Sequence, residues 1–281
     1  MRRLVAQVPH GFQVGSDWIR QATIRELNGY DEQLLVSAQN LFPPFKTSLL
    51  LERVVEFTNL PPKINLLVII RSLPVGDRIA LILYLRKITF GPILNCTLKC
   101  PNCTDRLSVD LPIDSLLQPT KSNPQTTYTI KIENYSLTIR PLNGLDLETL
   151  TSNPNPPAPD AVSLSEKLLR SCILSSDPAL PPILSSQFQE QLGTTLSQID
   201  SQVDLTLNIT CPVCNKTFQT SLDVEDFFFQ EVASRYPQLE REVHWIALHY
   251  HWSEKNILSI ASSKRKRYVE LINASLSGDS L

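Results

Sequence analysis

Glycine is scarce in this sequence, with 8 glycines among 281 residues against a usual share of roughly 7%. Gly-rich loops that bind phosphate groups are therefore not expected. The sequence also contains none of the short motifs of Walker A nucleotide-binding loops, zinc metalloproteases or serine hydrolases. Its carboxylates are scattered rather than paired in a recognisable catalytic frame. We therefore predict that the protein is not an enzyme and has no small-molecule substrate.

An excess of charge is absent as well. The 26 Lys and Arg residues nearly balance the 28 Asp and Glu residues, which gives a formal charge of −2. Proteins whose main partner is a nucleic acid concentrate basic residues on one surface. The composition therefore argues against nucleic acid as the main partner.

Long hydrophobic runs are also missing. The longest uncharged apolar stretches, Ile64–Ile70 and Ile79–Leu85, fall far below the roughly 20 residues that a membrane-spanning helix needs. The apolar run Leu4–Ala6 is too short for the core of a signal peptide. We therefore expect a cytoplasmic protein without a direct membrane span.

An internal repeat is the main positive feature of the sequence. Residues 23–31 read T-I-R-E-L-N-G-Y-D, and residues 138–146 read T-I-R-P-L-N-G-L-D. Further along, C-P-N-C at 100–103 recurs as C-P-V-C at 211–214. Two matches in the same order and at nearly the same spacing predict a duplicated unit of the chain. The predicted domains are a first repeat with a knuckle over 1–127, a second repeat with a knuckle over 128–228, and a C-terminal helical segment over 229–281.

Each unit is predicted to begin with a short strand that ends at the Asn-Gly pair. Gly29 and Gly144 would supply a positive φ in the turn that follows. Asp31 and Asp146 would then cap the next helix at its N-terminus. The two copies of the motif are therefore expected to form the same strand–turn–helix structure.

The next stretch of each unit has helical spacing, and a proline pair would end the helix. The apolar positions are Leu50, Val54, Val55 and Phe57 in the first unit and Leu164, Leu168, Leu169 and Cys172 in the second, and the proline pairs are Pro61-Pro62 and Pro181-Pro182. A further helix is predicted over Asp77–Thr89 and over Ser185–Ile199. The proline-rich stretch Ser152–Asp160 is predicted to be an extended linker.

Alternation with a period of two precedes each cysteine pair and predicts a half-buried strand. The alternating residues are Leu94, Cys96 and Leu98 in the first unit and Leu205, Leu207 and Ile209 in the second. A second strand is predicted after each pair, over Arg106–Leu111 and Thr217–Leu222, so that each C-P-x-C lies at the tip of a β-hairpin. The fold class is therefore α+β, with an internal duplication of a strand-helix-helix-hairpin unit and a C-terminal helical tail.

The cysteines predict a metal site shared by the two repeats. One C-x-x-C knuckle supplies two of the four ligands of a structural zinc ion, and two knuckles complete the set. The predicted ligands of one structural zinc ion per chain are Cys100, Cys103, Cys211 and Cys214. Reduced thiols and a pair of redox centres are the alternatives, but a redox pair belongs at the start of a helix, whereas strand-like sequence follows these cysteines. The two other cysteines are expected in the core: Cys96 and Cys172.

The C-terminal tail is predicted to contain three helices. The first has an amphipathic stripe with Pro237 in its first turn, the second is capped by Ser253, and the third begins near Ser262 or Ser263. Its basic cluster consists of Lys264, Arg265, Lys266 and Arg267. This cluster is either the solvated face of a helix, a docking patch for an acidic protein surface, or a nucleic-acid site.

A series of motifs along the chain resembles a known family. They are R-x-L-N-G-x-D, L-P-V-G-D-R at Leu73–Arg78, the two C-P-x-C hairpins, E-V-H-W-I-A-L-H-Y-H-W-S-E at Glu242–Glu254, and R-K-R-Y-V-E-L at Arg265–Leu271. In this order they resemble the T4-type baseplate proteins encoded with phage tails and phage tail-like contractile injection systems, often called baseplate hub assembly chaperones. The resemblance covers nearly the whole chain and is most specific in the tail.

The resemblance implies a structural component or assembly factor in the baseplate region of a sixfold contractile particle, located in the cytoplasm during assembly. Its partners would be the other baseplate subunits. Trp245, Tyr250 and Trp252 are then expected to anchor a neighbouring subunit, because aromatic anchors carry much of the binding energy of interfaces. The alternative function is that of a zinc-ribbon module that binds nucleic acid through the basic cluster.

Overall fold

The computed structural model describes residues 1–38, 40–58, 60–121, 123, 125–151 and 163–277. Helices and antiparallel strands mix through both halves, which confirms the α+β class. The predicted proline-rich linker, Ser152–Asp160, lies outside the described residues.

The first half begins with two long strands and closes with a hairpin and a short helix. Its elements are β1 (Arg3–Val14), β2 (Asp17–Arg25), α1 (Gly29–Ser37), α2 (Pro43–Val54), β3 (Val55–Phe57), α3 (Leu66–Ser72), α4 (Val75–Phe90), β4 (Ile93–Lys99), β5 (Arg106–Pro112) and α5 (Ile113–Leu116).

The second half follows nearly the same order, and the described part of the tail contains three helices. The second half contains β6 (Tyr128–Ile132), β7 (Tyr135–Ile139), α6 (Gly144–Thr151), α7 (Leu164–Ser171), β8 (Ile173–Asp177), α8 (Ser186–Ile199), β9 (Thr206–Thr210) and β10 (Thr217–Ser221). The tail contains α9 (Val224–Tyr250), α10 (Glu254–Leu258) and α11 (Ser262–Ser277). In the described part of the second half, no helix corresponds to α3.

Each half contains a three-stranded antiparallel sheet and a separate hairpin. The sheets have the orders β1-β2-β3 and β6-β7-β8, and the hairpins are β4-β5 and β9-β10. The repeated Thr-Ile lies on the central strand in both sheets, where Thr23 pairs with Glu56 and Thr138 pairs with Ser175. Both hairpins lie where the alternation predicts them.

The helix predicted through Phe57 ends earlier than expected. α2 stops at Val54, and Val55 and Phe57 turn their side chains into the core from strand β3, which pairs with β2. Cys172 likewise lies at the end of α7, before strand β8. The proline pairs therefore follow a strand rather than a helix. β-Branched and aromatic residues favour a strand once a sheet edge is available, and the sequence alone does not reveal that edge.

The Asn-Gly turns also differ from the prediction. Asn28 is the N-cap of α1, and Asp31 lies three residues later, where it completes a capping box by accepting a hydrogen bond from the Asn28 backbone N–H. Asn143 and Asp146 exchange the same pair of hydrogen bonds. The glycines with positive φ in the described residues lie elsewhere, so Gly29 is not needed for its dihedral freedom.

The tail begins with one long helix instead of a helix that starts at Pro237. α9 extends from Val224 to Tyr250 with Pro237 inside it, and it crosses the boundary predicted between 228 and 229. Ser253 caps α10 as predicted. None of the helices in the described ranges combines the length and the hydrophobicity that a membrane span requires.

The main core joins the first half to the start of the tail. Side chains from the β1-β2-β3 sheet, α2 and α4 pack with Leu205 of the second half and with Phe228 and Val232 of α9. A second cluster lies within the second half, between its sheet and α8. The apolar packing of the first half therefore depends on residues from beyond the first 200.

The two halves meet directly at the second Asn-Gly turn. The backbone N–H of Val75 donates to the Leu142 carbonyl at 2.9 Å, and Pro74 forms an isolated β-bridge with Asn143. A Cβ atom on Gly144 would lie 2.0 Å from Nη1 of Arg78. Glycine is therefore required here for close approach.

A buried polar set joins the halves at another point. The Asp200 carboxylate, at the end of α8, accepts a hydrogen bond from the Gly76 backbone N–H at 2.9 Å and lies 3.2 Å from His10 Nε2. Asp77 accepts hydrogen bonds from the backbone N–H groups of His10 and Gly11, both at 2.8 Å. Complete burial raises the pKa of Asp77 to about 7. These contacts hold β1, α4 and α8 together.

We expect Gly144→Ala to lower the free energy of unfolding by about 1–3 kcal/mol, because the added methyl group would overpack a buried contact. Gly193→Ala in α8 is the matched control, since its Cβ meets nothing within 4 Å. Alanine favours a helix by up to about 1 kcal/mol over glycine, so the control should be neutral or stabilising. Urea unfolding of both variants measures the difference, and equal effects would contradict the close approach.

Candidate metal centre

The four predicted cysteine ligands converge at one place. Cys100 and Cys103 lie between β4 and β5, and Cys211 and Cys214 lie between β9 and β10. The Sγ atoms of Cys100 and Cys214 are 3.8 Å apart, and those of Cys103 and Cys211 are 3.6 Å apart. All four sulfur atoms lie within 4.8 Å of one another. The structure therefore brings together two cysteine pairs from different halves.

These distances fit a metal site. In a tetrahedral zinc–thiolate site the Zn–S bonds of about 2.3 Å place neighbouring sulfur atoms about 3.8 Å apart. A disulfide requires a much shorter separation of about 2.05 Å. Each pair is followed by a strand, whereas a redox pair is activated at the start of a helix. The four cysteines could hold a metal ion, and four thiolates would leave no coordination position for water or substrate.

The two knuckles have the same backbone structure. In the first, the Cys100 N–H donates to the Asp105 carbonyl, and the Thr104 N–H donates to the Cys100 carbonyl. In the second, Cys211 makes the corresponding bonds with Lys216 and Asn215. Thr104 and Asn215 both have positive φ, 63° and 57°. Each turn thus curls its backbone N–H groups toward the sulfur atoms.

Backbone hydrogen bonds favour the thiolate form of one cysteine in each pair. The backbone N–H of Cys103 lowers the pKa of Cys100, and the backbone N–H of Lys216 lowers the pKa of Cys214 to about 6. The backbone N–H of Asp105 also favours ionised Cys103, but burial and the contacts with Cys100 and Cys211 raise the pKa of Cys103 to about 12. Four thiolates this close repel one another, so a cation is needed for all of them to ionise.

The surroundings of the cysteines are apolar on the hairpin side. Leu107, Val109, Ile209 and Phe218 pack against the cysteines. Across the two hairpins, Lys216 Nζ donates to Asn102 Oδ1 at 2.8 Å. Cys100 and Cys211 are buried, and their partners are half-buried. The site is therefore largely shielded from solvent.

The two remaining cysteines lie away from this cluster, in the core as expected. Cys96 is buried on β4, and Cys172 is buried at the end of α7. Burial raises the pKa of Cys96 to about 11 and that of Cys172 to about 12. Both are therefore thiols at neutral pH.

The predicted aromatic anchors do not form one surface. Tyr250 stacks on Trp252 with ring centroids 5.3 Å apart, and both rings contact Tyr268 of α11. Trp245 lies against His249 and donates from Nε1 to Asn273 Oδ1 at 3.1 Å. Much of the surface of Trp252 and Trp245 is therefore used to pack the tail, while Tyr250 is 37% exposed.

The basic cluster is not a continuous patch, and the prediction for Arg265 is wrong. Lys264, Lys266 and Arg267 are exposed, but Arg265 is fully buried. Its guanidinium pairs with Glu32 at 2.6 Å and with Glu242 at 3.0 Å. The cluster lies on a helix, so its residues point in different directions around the axis. This leaves three surface cations, one of them paired with Glu270 at 3.3 Å.

A groove lies between α9 and α11, and no pattern in the sequence predicts it. It encloses about 490 Å³, and its walls include Pro237, Arg241, His244, Trp245, Val269 and Asn273. The spacing of Arg241, His244 and Trp245 places them on one side of α9. The sequence does not reveal which helix lies opposite that side.

Comparison with known proteins gives a family match. The model of a family described as T4 bacteriophage base plate protein matches residues 17–175, which is more than half of the chain. The match includes Cys100 and Cys103 and ends in β8, before the second cysteine pair and the tail. Neither a curated protein nor a solved structure matches the chain.

Cobalt(II) added to metal-free protein is expected to give the absorption of a tetrahedral thiolate site. If cobalt binds only the folded state, it should raise the free energy of unfolding by about 4 kcal/mol when the free cobalt concentration is about 1,000 times its dissociation constant. Cys211→Ser should abolish both effects, because it removes one ligand of four. Cys172→Ala is the control and should bind cobalt like the wild type. Loss of binding in the control as well would argue against this ligand set.

Proposed function

Because the chain belongs to the T4 bacteriophage base plate protein family, we propose that it is a structural zinc-binding component or assembly factor of the baseplate region in a phage tail-like contractile injection system. The family match carries this proposal. The cysteine site supports a non-enzymatic role, since four thiolate ligands would leave no position for a substrate. The protein would act in the cytoplasm, within the particle or during its assembly.

Zinc is the ion that the donor set favours. Four cysteines from two knuckles are typical of structural zinc sites, which are tetrahedral and closed. Cys100, Cys103, Cys211 and Cys214 would hold the ion. Because the ligands come from both halves, the binding free energy would stabilise the contact between the hairpins.

The two halves are best explained as copies of one ancestral unit. They share the order of their strands and of all helices but α3 and α5, and both have a central Thr-Ile strand. Both place an Asn-Asp capping box after that strand, and in both an arginine pairs with the aspartate, Arg25 with Asp31 and Arg140 with Asp146. The knuckles also share their backbone hydrogen bonds. These similarities support the duplication.

The groove between α9 and α11 is the proposed contact surface for another baseplate subunit. Trp245 lies in its wall, and Arg241 and His244 add polar groups at its side. Tryptophan and arginine are enriched among the residues that dominate binding energy at interfaces. The exposed cations Lys264, Lys266 and Arg267 would support docking on an acidic partner surface. The partners would be neighbours in a sixfold particle.

We expect elemental analysis of the purified protein to find about one zinc ion per chain, since one tetrahedral site needs four cysteines. Protein with Cys100→Ser should contain none, whereas Cys96→Ala should retain the metal because Cys96 lies outside the cluster. Metal-free wild-type protein that melts like the purified protein would contradict a structural role for the ion.

We expect Trp245→Ala to reduce incorporation into assembled particles at least about fivefold, because the loss of an interface anchor typically costs about 1 kcal/mol or more. Leu248→Ala on the same helix is the control, since Leu248 is 55% exposed and does not line the groove. Sedimentation of particles followed by immunoblotting measures incorporation. Thermal melting of both variants separates loss of docking from loss of folding. Equal incorporation of Trp245→Ala and wild type would contradict the proposal that the groove contacts another subunit.

A further inference from the structure

Both Asn-Gly turns receive the start of a long helix from another part of the chain. At the second turn, residues 140–146, the Val75 N–H donates to the Leu142 carbonyl at 2.9 Å. At the first turn, residues 25–31, the Ser262 N–H donates to the Leu27 carbonyl at 3.0 Å. The preceding residue forms an isolated β-bridge with the asparagine in both cases: Pro74 with Asn143 and Ala261 with Asn28. The same contact is therefore made twice.

The two inserted helices also resemble each other. α4 and α11 both contain 16 residues, and each follows a short helix, α3 or α10. The fourth residue of each long helix is an arginine, Arg78 or Arg265. These two arginines are the largest side chains of the fold that are fully buried. A buried guanidinium is stable only when its charge is paired and its N–H groups are hydrogen-bonded.

Each arginine is linked to a glutamate next to the turn that receives its helix, either directly or through a hydroxyl group. Arg265 pairs with Glu32 of α1 and with Glu242 of α9, and its Nη1 donates to the Ile260 carbonyl at 2.7 Å. Arg78 donates to the Ser48 hydroxyl, which in turn donates to Glu148 of α6. Glu32 and Glu148 thus lie one and two residues after the aspartates of the two turns, while α9 supplies a second acid near each arginine, Glu242 or Glu225.

The glycine of each turn leaves room for the inserted segment. A Cβ atom on Gly29 would lie 2.6 Å from Leu258 Cδ2 and 2.9 Å from Leu258 Cα. A Cβ atom on Gly144 would lie 2.0 Å from Arg78 Nη1. A larger residue would require the backbone at Leu258 to move at the first turn and the Arg78 side chain to move at the second. The glycine of each Asn-Gly pair therefore serves the contact with the inserted segment as well as the turn itself.

Each inserted helix comes from a different part of the chain than the turn that receives it. The first half supplies the helix that fills the turn of the second half, and the tail supplies the helix that fills the turn of the first. α8 precedes the second hairpin as α4 precedes the first, but its fourth residue is Gln189, and its N-terminal residues Ser185 and Ser186 are exposed. Among these three helices, the two with arginine at the fourth position are the ones inserted into a turn.

We propose that the first turn, together with Glu32 and Glu242, is a peptide-docking site, and that residues 253–277, the docking segment, are its separable ligand, which a second copy of this chain can supply. The ligand is a short helix followed by a long helix with arginine at its fourth position. Further directional contacts fix the register, since Ser263 Oγ donates to Glu26 and Tyr30 Oη donates to the Lys255 carbonyl.

The full chain with a protease site inserted between Trp252 and Ser253 tests this proposal. After cleavage, a fluorescently labelled peptide of residues 253–277 is added, and binding is followed by anisotropy. The peptide should exchange with the cleaved segment and bind saturably. A peptide with Arg265→Ala should bind at least about tenfold more weakly, because it leaves two buried carboxylates without their partner. A peptide with Lys266→Ala is the matched control and should bind like the wild type.

Variants of the receiving site separate docking on the turn from packing on α9 alone. Gly29→Ala and Glu32→Gln in the cleaved chain should each weaken peptide binding at least about tenfold, whereas Gly193→Ala should not. No binding of the wild-type peptide to the cleaved chain would overturn the proposal. Equal binding by all the peptides, or by all the chain variants, would overturn it too, because the turn and the arginine would then not be recognised.

Discussion

The meeting of four sulfur atoms from two hairpins is the constraint on which the architecture depends most. Each hairpin alone could supply only half of a tetrahedral shell, so the chain has to fold both halves before the site exists. Thiolates at 3.6–3.8 Å repel one another unless a cation lies between them. A bound ion would therefore couple the two halves more strongly than their apolar contact alone. The buried Asp200 set and the Leu142–Val75 junction hold the halves in the relative position that the sulfur atoms require.

Membership of the base plate family and the distribution of contacts are consistent with the proposed structural role. The family match covers the first half from β2 onward and most of the sheet of the second half, whereas the tail contributes the groove and the exposed cations. The tail packs on the first half through α1 and α9, so a partner bound to the groove would contact an element that belongs to the main core.

The sequence predicts the local structure well where the signal is local. The alternation around Cys96 and Leu207 predicts the hairpins, and the repeated C-P-x-C predicts the cysteine cluster. Ser253 correctly predicts the N-cap of α10. It fails where the structure depends on distant partners. Val55 and Phe57 form a strand because β2 offers an edge. Arg265 is buried because it pairs with Glu32, which lies more than 200 residues away in the chain. Glycines 29 and 144 are explained by the segments that approach them, and no local pattern reveals those segments.

The two turns differ in whether the inserted helix comes before or after them in the chain, and this order matters during synthesis. Residues 73–78 are made before the turn that receives them, so the second turn meets its partner as soon as it leaves the ribosome. The first turn is made before its partner, and Ser263 is 237 positions beyond Glu26. Until the docking segment has been made, Gly29 and Glu32 therefore lack the residues that cover them in the folded chain.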